Sequence, residues 1–122
     1  NVVYCTDLPW NETMKKLKQS TILVVPSRME SIPQVIKEAF YLKIPVIATN
    51  VGGISELIKS QVTGILIESE NSQLLLDEIN KLLRNPNLQE QLSKNSHEFI
   101  LEHYTWKTLY HKYVTFYEEL LK

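Results

Sequence analysis

Glu30 and Glu38 are the residues of this chain whose type and spacing best suit chemistry: two carboxylates eight positions apart, one just before an amphipathic helix and one inside it. At the helical rise they stand roughly 8 to 10 Å apart along the axis, so each can serve one end of an extended ligand. A carboxylate accepts charge-assisted hydrogen bonds from paired hydroxyls. Between the two lies Ser31-Ile32-Pro33-Gln34, where the amides that open the helix are unsatisfied and the helix dipole favours an anion. Pro33 has no N–H, which leaves Ile32 and Gln34 as the expected donors. A ligand with hydroxyls at both ends and an anion in the middle fits this layout. A nucleotide sugar, with its ribose, diphosphate and sugar, is such a ligand.

The elements that must hold these residues follow from the hydrophobic pattern. Val2 to Cys5 is a β-favouring run, broken by Asp7, Pro9 and Asn11 before a helix over Glu12 to Gln19. Thr21 to Val25 and Pro45 to Thr49 are unbroken apolar runs, as expected of strands covered on both faces. Between them Val35, Ile36, Ala39, Phe40 and Leu42 recur at helical spacing, with Pro33 placed as the first helical residue. Gly52-Gly53 ends a strand, Ile54 to Lys59 is a short helix, and Gly64 to Ile67 is a further strand. Helices over Asn71 to Leu83, Leu88 to Leu101 and about Thr105 to Leu121 complete the chain, the first two parted by Asn85-Pro86-Asn87. Alternating β and α elements with buried strands predict an α/β fold: a doubly wound, parallel, Rossmann-like sheet with helices on both faces and a helical C-terminal tail. Ligands bind such sheets where strands end and helices begin, which points to Pro26 to Pro33 and Asn50 to Ile54.

Composition narrows the function classes. The 122 residues are 43% hydrophobic with 3 Gly and 5 Pro, the profile of one folded domain. Thirteen Lys and Arg against 14 Asp and Glu give a net charge of -1 with no dense basic run, so nucleic acid is not an expected partner. The single Cys5 can frame neither an internal disulfide nor a zinc site, which suits a reducing, cytoplasmic setting. It is read as an inert residue in or beside a strand. Apolar runs such as Ile22 to Val25 are far shorter than the roughly 18 to 20 residues a membrane span needs, and no signal peptide is expected. His97, His103 and His111 are spaced six and eight apart, which does not gather them on one helical face, and no metal is expected. The chain begins mid-pattern without Met, which reads as a piece of something longer.

Taken in order, Pro26-Ser27 through Glu30, the E-x7-E pair with Glu38, Ala39, Pro45-Val46-Ile47-Ala48-Thr49, Gly52-Gly53 and Glu56 resemble the signature of the large retaining GT-B glycosyltransferase family. That family, glycosyl transferases group 1 or family four, includes capsule, lipopolysaccharide and mannosyl transferases. The resemblance extends to Tyr104-Thr105-Trp106 before the final helix. It implies the C-terminal half of a GT-B fold, with residues 1–122 as one partial donor-binding domain lacking the first strands and the N-terminal acceptor domain. It implies that Glu30 contacts the transferred sugar in a supporting catalytic sense, that Glu38 binds the ribose, and that Ser31, Ile32 and Gln34 help hold the diphosphate.

The donor would be UDP- or GDP-linked and no cofactor is required; the acceptor is a glycan or lipid-linked molecule met through the N-terminal domain. The parent would work in surface polysaccharide synthesis in the cytoplasm, at the inner membrane face through peripheral association, while the fragment alone would be inactive. Other classes fit less well: a nucleotide-sugar-binding module or the donor half of a split transferase, and a GT-B-fold epimerase. Two residues depart from the family pattern. Ser31-Ile32-Pro33 replaces the usual Gly-aromatic-Gly or Gly-aromatic-Pro, and Lys43 stands where Gly is usual. Left open are Arg28 as a phosphate contact and Glu56 as a ligand residue or a helix-dipole partner. The series Tyr110, Tyr113, Phe116 and Tyr117 is read as packing rather than a stacking platform.

Overall fold

The computed structural model describes residues 1–122. Its elements run α1 (Trp10–Lys18), β1 (Leu23–Val25), α2 (Gln34–Tyr41), β2 (Val46–Thr49), α3 (Ile54–Leu57), β3 (Ile65–Ile67), α4 (Ser72–Leu83), α5 (Pro86–His103) and α6 (Trp106–Leu120). The three strands form one parallel sheet in the order β1-β2-β3. Val24 pairs with Ile47 and Ala48 with Leu66.

Alternation along β2 builds the core on both faces of the sheet. Val46 and Ala48 join Ile36, Ala39 and Phe40 of α2, with Leu17, Ile54 and Ile100. Ile47, pointing the other way, joins Ile65, Ile67, Leu82 and Leu92. Ile36, Phe40 and Ile47 are all fully buried, each contributing roughly 1.5 to 3 kcal/mol by leaving water. Helix α5 serves both sides, giving Leu92 to one cluster and Ile100 to the other. The strands are thus covered on both faces, as their unbroken apolar runs require.

Four expectations from sequence are corrected. Val2 to Cys5 is not a strand: Val2, Val3 and Tyr4 are 79 to 90% exposed, and β1 at the sheet edge pairs only with β2. A β-favouring run forms a strand only when a neighbour completes its hydrogen bonds. Cys5 is accordingly exposed in irregular chain. Pro33 is not the first helical residue but the extended N-cap of α2, with ψ at 125°. The break between α4 and α5 is shorter than expected, because Asn85 caps α5 through Leu88 N at 3.0 Å and Pro86 is already helical. Finally, no residue of α6 is buried, so the packing expected of Tyr110, Tyr113, Phe116 and Tyr117 does not occur within residues 1–122.

Lys43 is in the left-handed region at φ 60. It closes α2 in a Schellman motif, with Ile44 N on Ala39 O at 2.8 Å and Lys43 N on Phe40 O at 3.2 Å. Buried Ile44 supplies the accompanying apolar contact. A side chain is strained there and glycine is not, whereas glycine gains freedom in the unfolded chain. Lys43→Gly should therefore stabilise the protein by a net of about 0.5 to 1 kcal/mol, read as a higher urea midpoint at unchanged slope.

Candidate functional site

Because the strands are parallel, the loops after β1, β2 and β3 gather at one edge, and the structure ties them together there. Thr49 Oγ1, at the end of β2, donates to Ser27 O at 2.5 Å and lies 3.4 Å from Val25 O. Asn50 N donates to Ile67 O at 2.8 Å, and Gly53 N to Ser31 O at 2.8 Å. Arg28 pairs with Glu70 at 3.2 Å, but both side chains are well exposed, so this ion pair contributes little.

The Glu30 loop rests on the Gly52-Gly53 turn so closely that no side chain fits between them. Gly52 has φ +53, and a Cβ on it would lie 1.7 Å from Glu30 O. A Cβ on Gly53 would lie 2.6 Å from Ile32 Cγ1 and 2.8 Å from Ser31 O. Both glycines are required by contact, and Gly52 by conformation as well.

Held this way, the loop delivers the chain to α2. Glu30 is partly buried, and its Oε1 accepts from Ser31 N at 3.1 Å. The Ser31 amide, expected to face an anion, is thus engaged by the neighbouring carboxylate, and its carbonyl is taken by Gly53. Ile32 lies against Gly53 through its side chain. Pro33 offers no capping side chain, whereas Asn71, Asn85 and Thr105 cap α4, α5 and α6. Ile36 N finds Pro33 O at 3.3 Å, which leaves the amides of Gln34 and Val35 free at the start of α2. The two expected amide donors, Ile32 and Gln34, both have unpaired N–H groups here, and Val35 adds a third.

Gln34 and Glu38 lie one turn apart on a single face of α2 and line the same pocket of about 540 Å³. Trp10, Met14, Tyr104 and Trp106 form much of its apolar wall. Glu30, Ser31 and Ile32 are not in that wall, so the structure separates a loop group at the helix entrance from a helix group beside the pocket. Sequence reasoning passed over Trp10, whose Nε1 donates to Glu38 Oε1 at 3.0 Å. Glu56 is exposed in the first turn of the short α3. His97 Nδ1 meets Phe40 O at 3.3 Å, joining α5 to α2, and His103 packs on Phe99 within α5 at 4.8 Å between ring centroids.

The sequence model of the family described as Glycosyl transferases group 1 matches residues 1–99. An uncharacterized glycosyltransferase of Methanocaldococcus jannaschii is 33% identical over 111 residues, covering 91% of this chain and 31% of the relative. A second from that organism is covered over 28% of its length, so the chain spans less than a third of these relatives. Among solved structures, the C-terminal domain of a glycosyl transferase group 1 family protein (LpcC) from Francisella tularensis superposes with TM-score 0.75 at 26% identity, over 86% of this chain and 53% of that one. A mutant of TarM from S. aureus, solved with fondaparinux, alpha-GlcNAc-glycerol and UDP, superposes with TM-score 0.73 at 26% identity, over 84% of this chain and 21% of that one.

Proposed function

The chain belongs to the group 1 glycosyltransferase family, and from that membership we propose that it is the donor-binding part of an enzyme that moves a sugar from a nucleotide sugar to an acceptor. Its fold is the Rossmann-like C-terminal domain of GT-B glycosyltransferases, with a helical tail. The observation that carries the reading is the start of α2. Bare amides of Gln34 and Val35 open the helix at the carboxyl edge of the sheet, and Glu38 follows one turn later beside a pocket.

The diphosphate lies at those amides, where the helix dipole and unsatisfied N–H groups favour an anion. Ile32 lines the approach to them and Gln34 offers its side chain as well. Glu38 takes the ribose hydroxyls. Glu30, fixed on the loop before the helix by Ser31 N, contacts hydroxyls of the transferred sugar and supports catalysis without acting as the attacking group. The acceptor, a glycan or lipid-linked molecule, meets this half through a further domain, and residues 1–122 work as one part of a larger fold. Transfer with retention follows the family pattern of Glu30 and Glu38, and no cofactor or metal is assigned. No helix is long and apolar enough to cross a membrane. A cytoplasmic enzyme of surface polysaccharide synthesis, resting on the inner membrane face, fits a lipid-linked acceptor.

UDP is the first nucleotide to try, since the TarM structure holds it, and GDP the second. The test is a thermal-shift panel of UDP, GDP, ADP and their sugars on the full-length protein. A ligand at 100 times its Kd stabilises the folded state by about 2.7 kcal/mol, enough to raise Tm by several degrees. At least one nucleoside diphosphate should do so, and a flat response to all of them contradicts the proposal.

A further inference from the structure

We propose that Trp10 is a positioning residue for the nucleotide's ribose, holding the Glu38 carboxylate in the orientation that accepts the paired hydroxyls. This rests on the ribose reading above. The indole N–H can only donate and an ionised carboxylate can only accept, so the 3.0 Å contact has one sense. It spans 28 residues of sequence and joins the first residue of α1 to the middle of α2. Glu38 makes no other hydrogen bond and no ion pair within the chain. Trp10 is therefore what fixes a side chain that is otherwise free to rotate.

The geometry leaves the carboxylate usable. A carboxylate has about four lone-pair directions, and the indole takes one of them on Oε1. Oε2 and the remaining direction on Oε1 stay open for two hydroxyl donors. Trp10 is itself held by α1, whose Leu17 is buried and whose Met14 packs on the core beside α2. Both Trp10 and Glu38 face the pocket of about 540 Å³, a volume within the range that takes a small ligand. Trp10 is 69% exposed, so it stands at the pocket rim, where the arriving nucleotide would meet it.

Trp10→Phe keeps an aromatic wall and removes only the donor. The experiment titrates full-length wild type, Trp10→Phe, Glu38→Ala and the double variant with UDP, GDP and the 2′,3′-dideoxy forms of both. Wild type should prefer the preferred nucleotide over its dideoxy form by about 10- to 150-fold, the range for hydrogen bonds to a charged group. Trp10→Phe should cut that preference to a few-fold and leave the dideoxy affinity unchanged, which a loss of folding or of ring stacking would not do. The double variant should discriminate no less than Glu38→Ala, because Trp10 acts through Glu38.

Full retention of the preference in Trp10→Phe overturns the proposal, as does equal weakening of both forms. Full retention in Glu38→Ala overturns the ribose reading along with it, and so does failure of wild type to bind any of the four.

Discussion

Gly52→Ala is expected to lower stability by about 2 to 4 kcal/mol and to remove measurable nucleotide binding. The added Cβ would lie 1.7 Å from Glu30 O and 2.9 Å from Glu30 C, both backbone atoms that cannot rotate aside. Either the Glu30 loop or the Gly52-Gly53 turn must shift. A shift of the loop carries with it the Ser31 carbonyl that holds Gly53 N, and the residues that lead into α2. The φ of +53 adds about 1 kcal/mol of conformational cost for alanine.

The two causes separate experimentally. Asn tolerates the left-handed region far better than alanine, but it also carries a Cβ. Gly52→Asn should therefore fail nearly as badly as Gly52→Ala, in both urea denaturation and nucleotide titration. Recovery by Asn would show that conformation alone requires glycine here, and wild-type stability in the alanine variant would remove the close approach from the account.

How much of this could be read in the sequence depends on the reach of each interaction. The apolar runs at β1 and β2 and the helical spacing of Ile36, Ala39 and Phe40 are local signals, and each appears as an element within a residue or two of its expected limits. Lys43 stood out only because the resembled family has Gly there, and its φ of 60 shows that the left-handed helix end is kept without glycine. The Glu30 and Glu38 pair is visible because the helix that spaces them is local.

What escaped notice is long-range. Trp10 reaches Glu38 across 28 residues, and nothing near Trp10 marks it as a partner for a carboxylate. Gly52-Gly53 stood out as a strand-ending turn, but its contact with Glu30 and Ser31 arises only when parallel pairing brings the two loops to one edge. Val2 to Cys5 misleads in the opposite sense, since strand propensity there meets no neighbouring strand. The aromatic face of α6 has helical spacing and still finds no core within these residues. Ser31 illustrates the limit for sites: the sequence places an amide after Glu30, and only the structure shows that amide spent on the Glu30 carboxylate.

The central claim is that Glu38, at the middle of α2 and one turn from the free amides of Gln34, binds the ribose of a nucleotide. The contact is charge-assisted, so truncating Glu38 should cost about 1.5 to 3 kcal/mol of binding, or roughly 10- to 150-fold in Kd. Glu38 makes one side-chain hydrogen bond and is only partly buried, so the fold should survive its loss. The direct measurement is a calorimetric titration of the preferred nucleoside diphosphate into full-length wild type and Glu38→Ala. Weakening within that range, with unfolding behaviour unchanged, is the predicted result. An unchanged Kd in the variant would contradict the account.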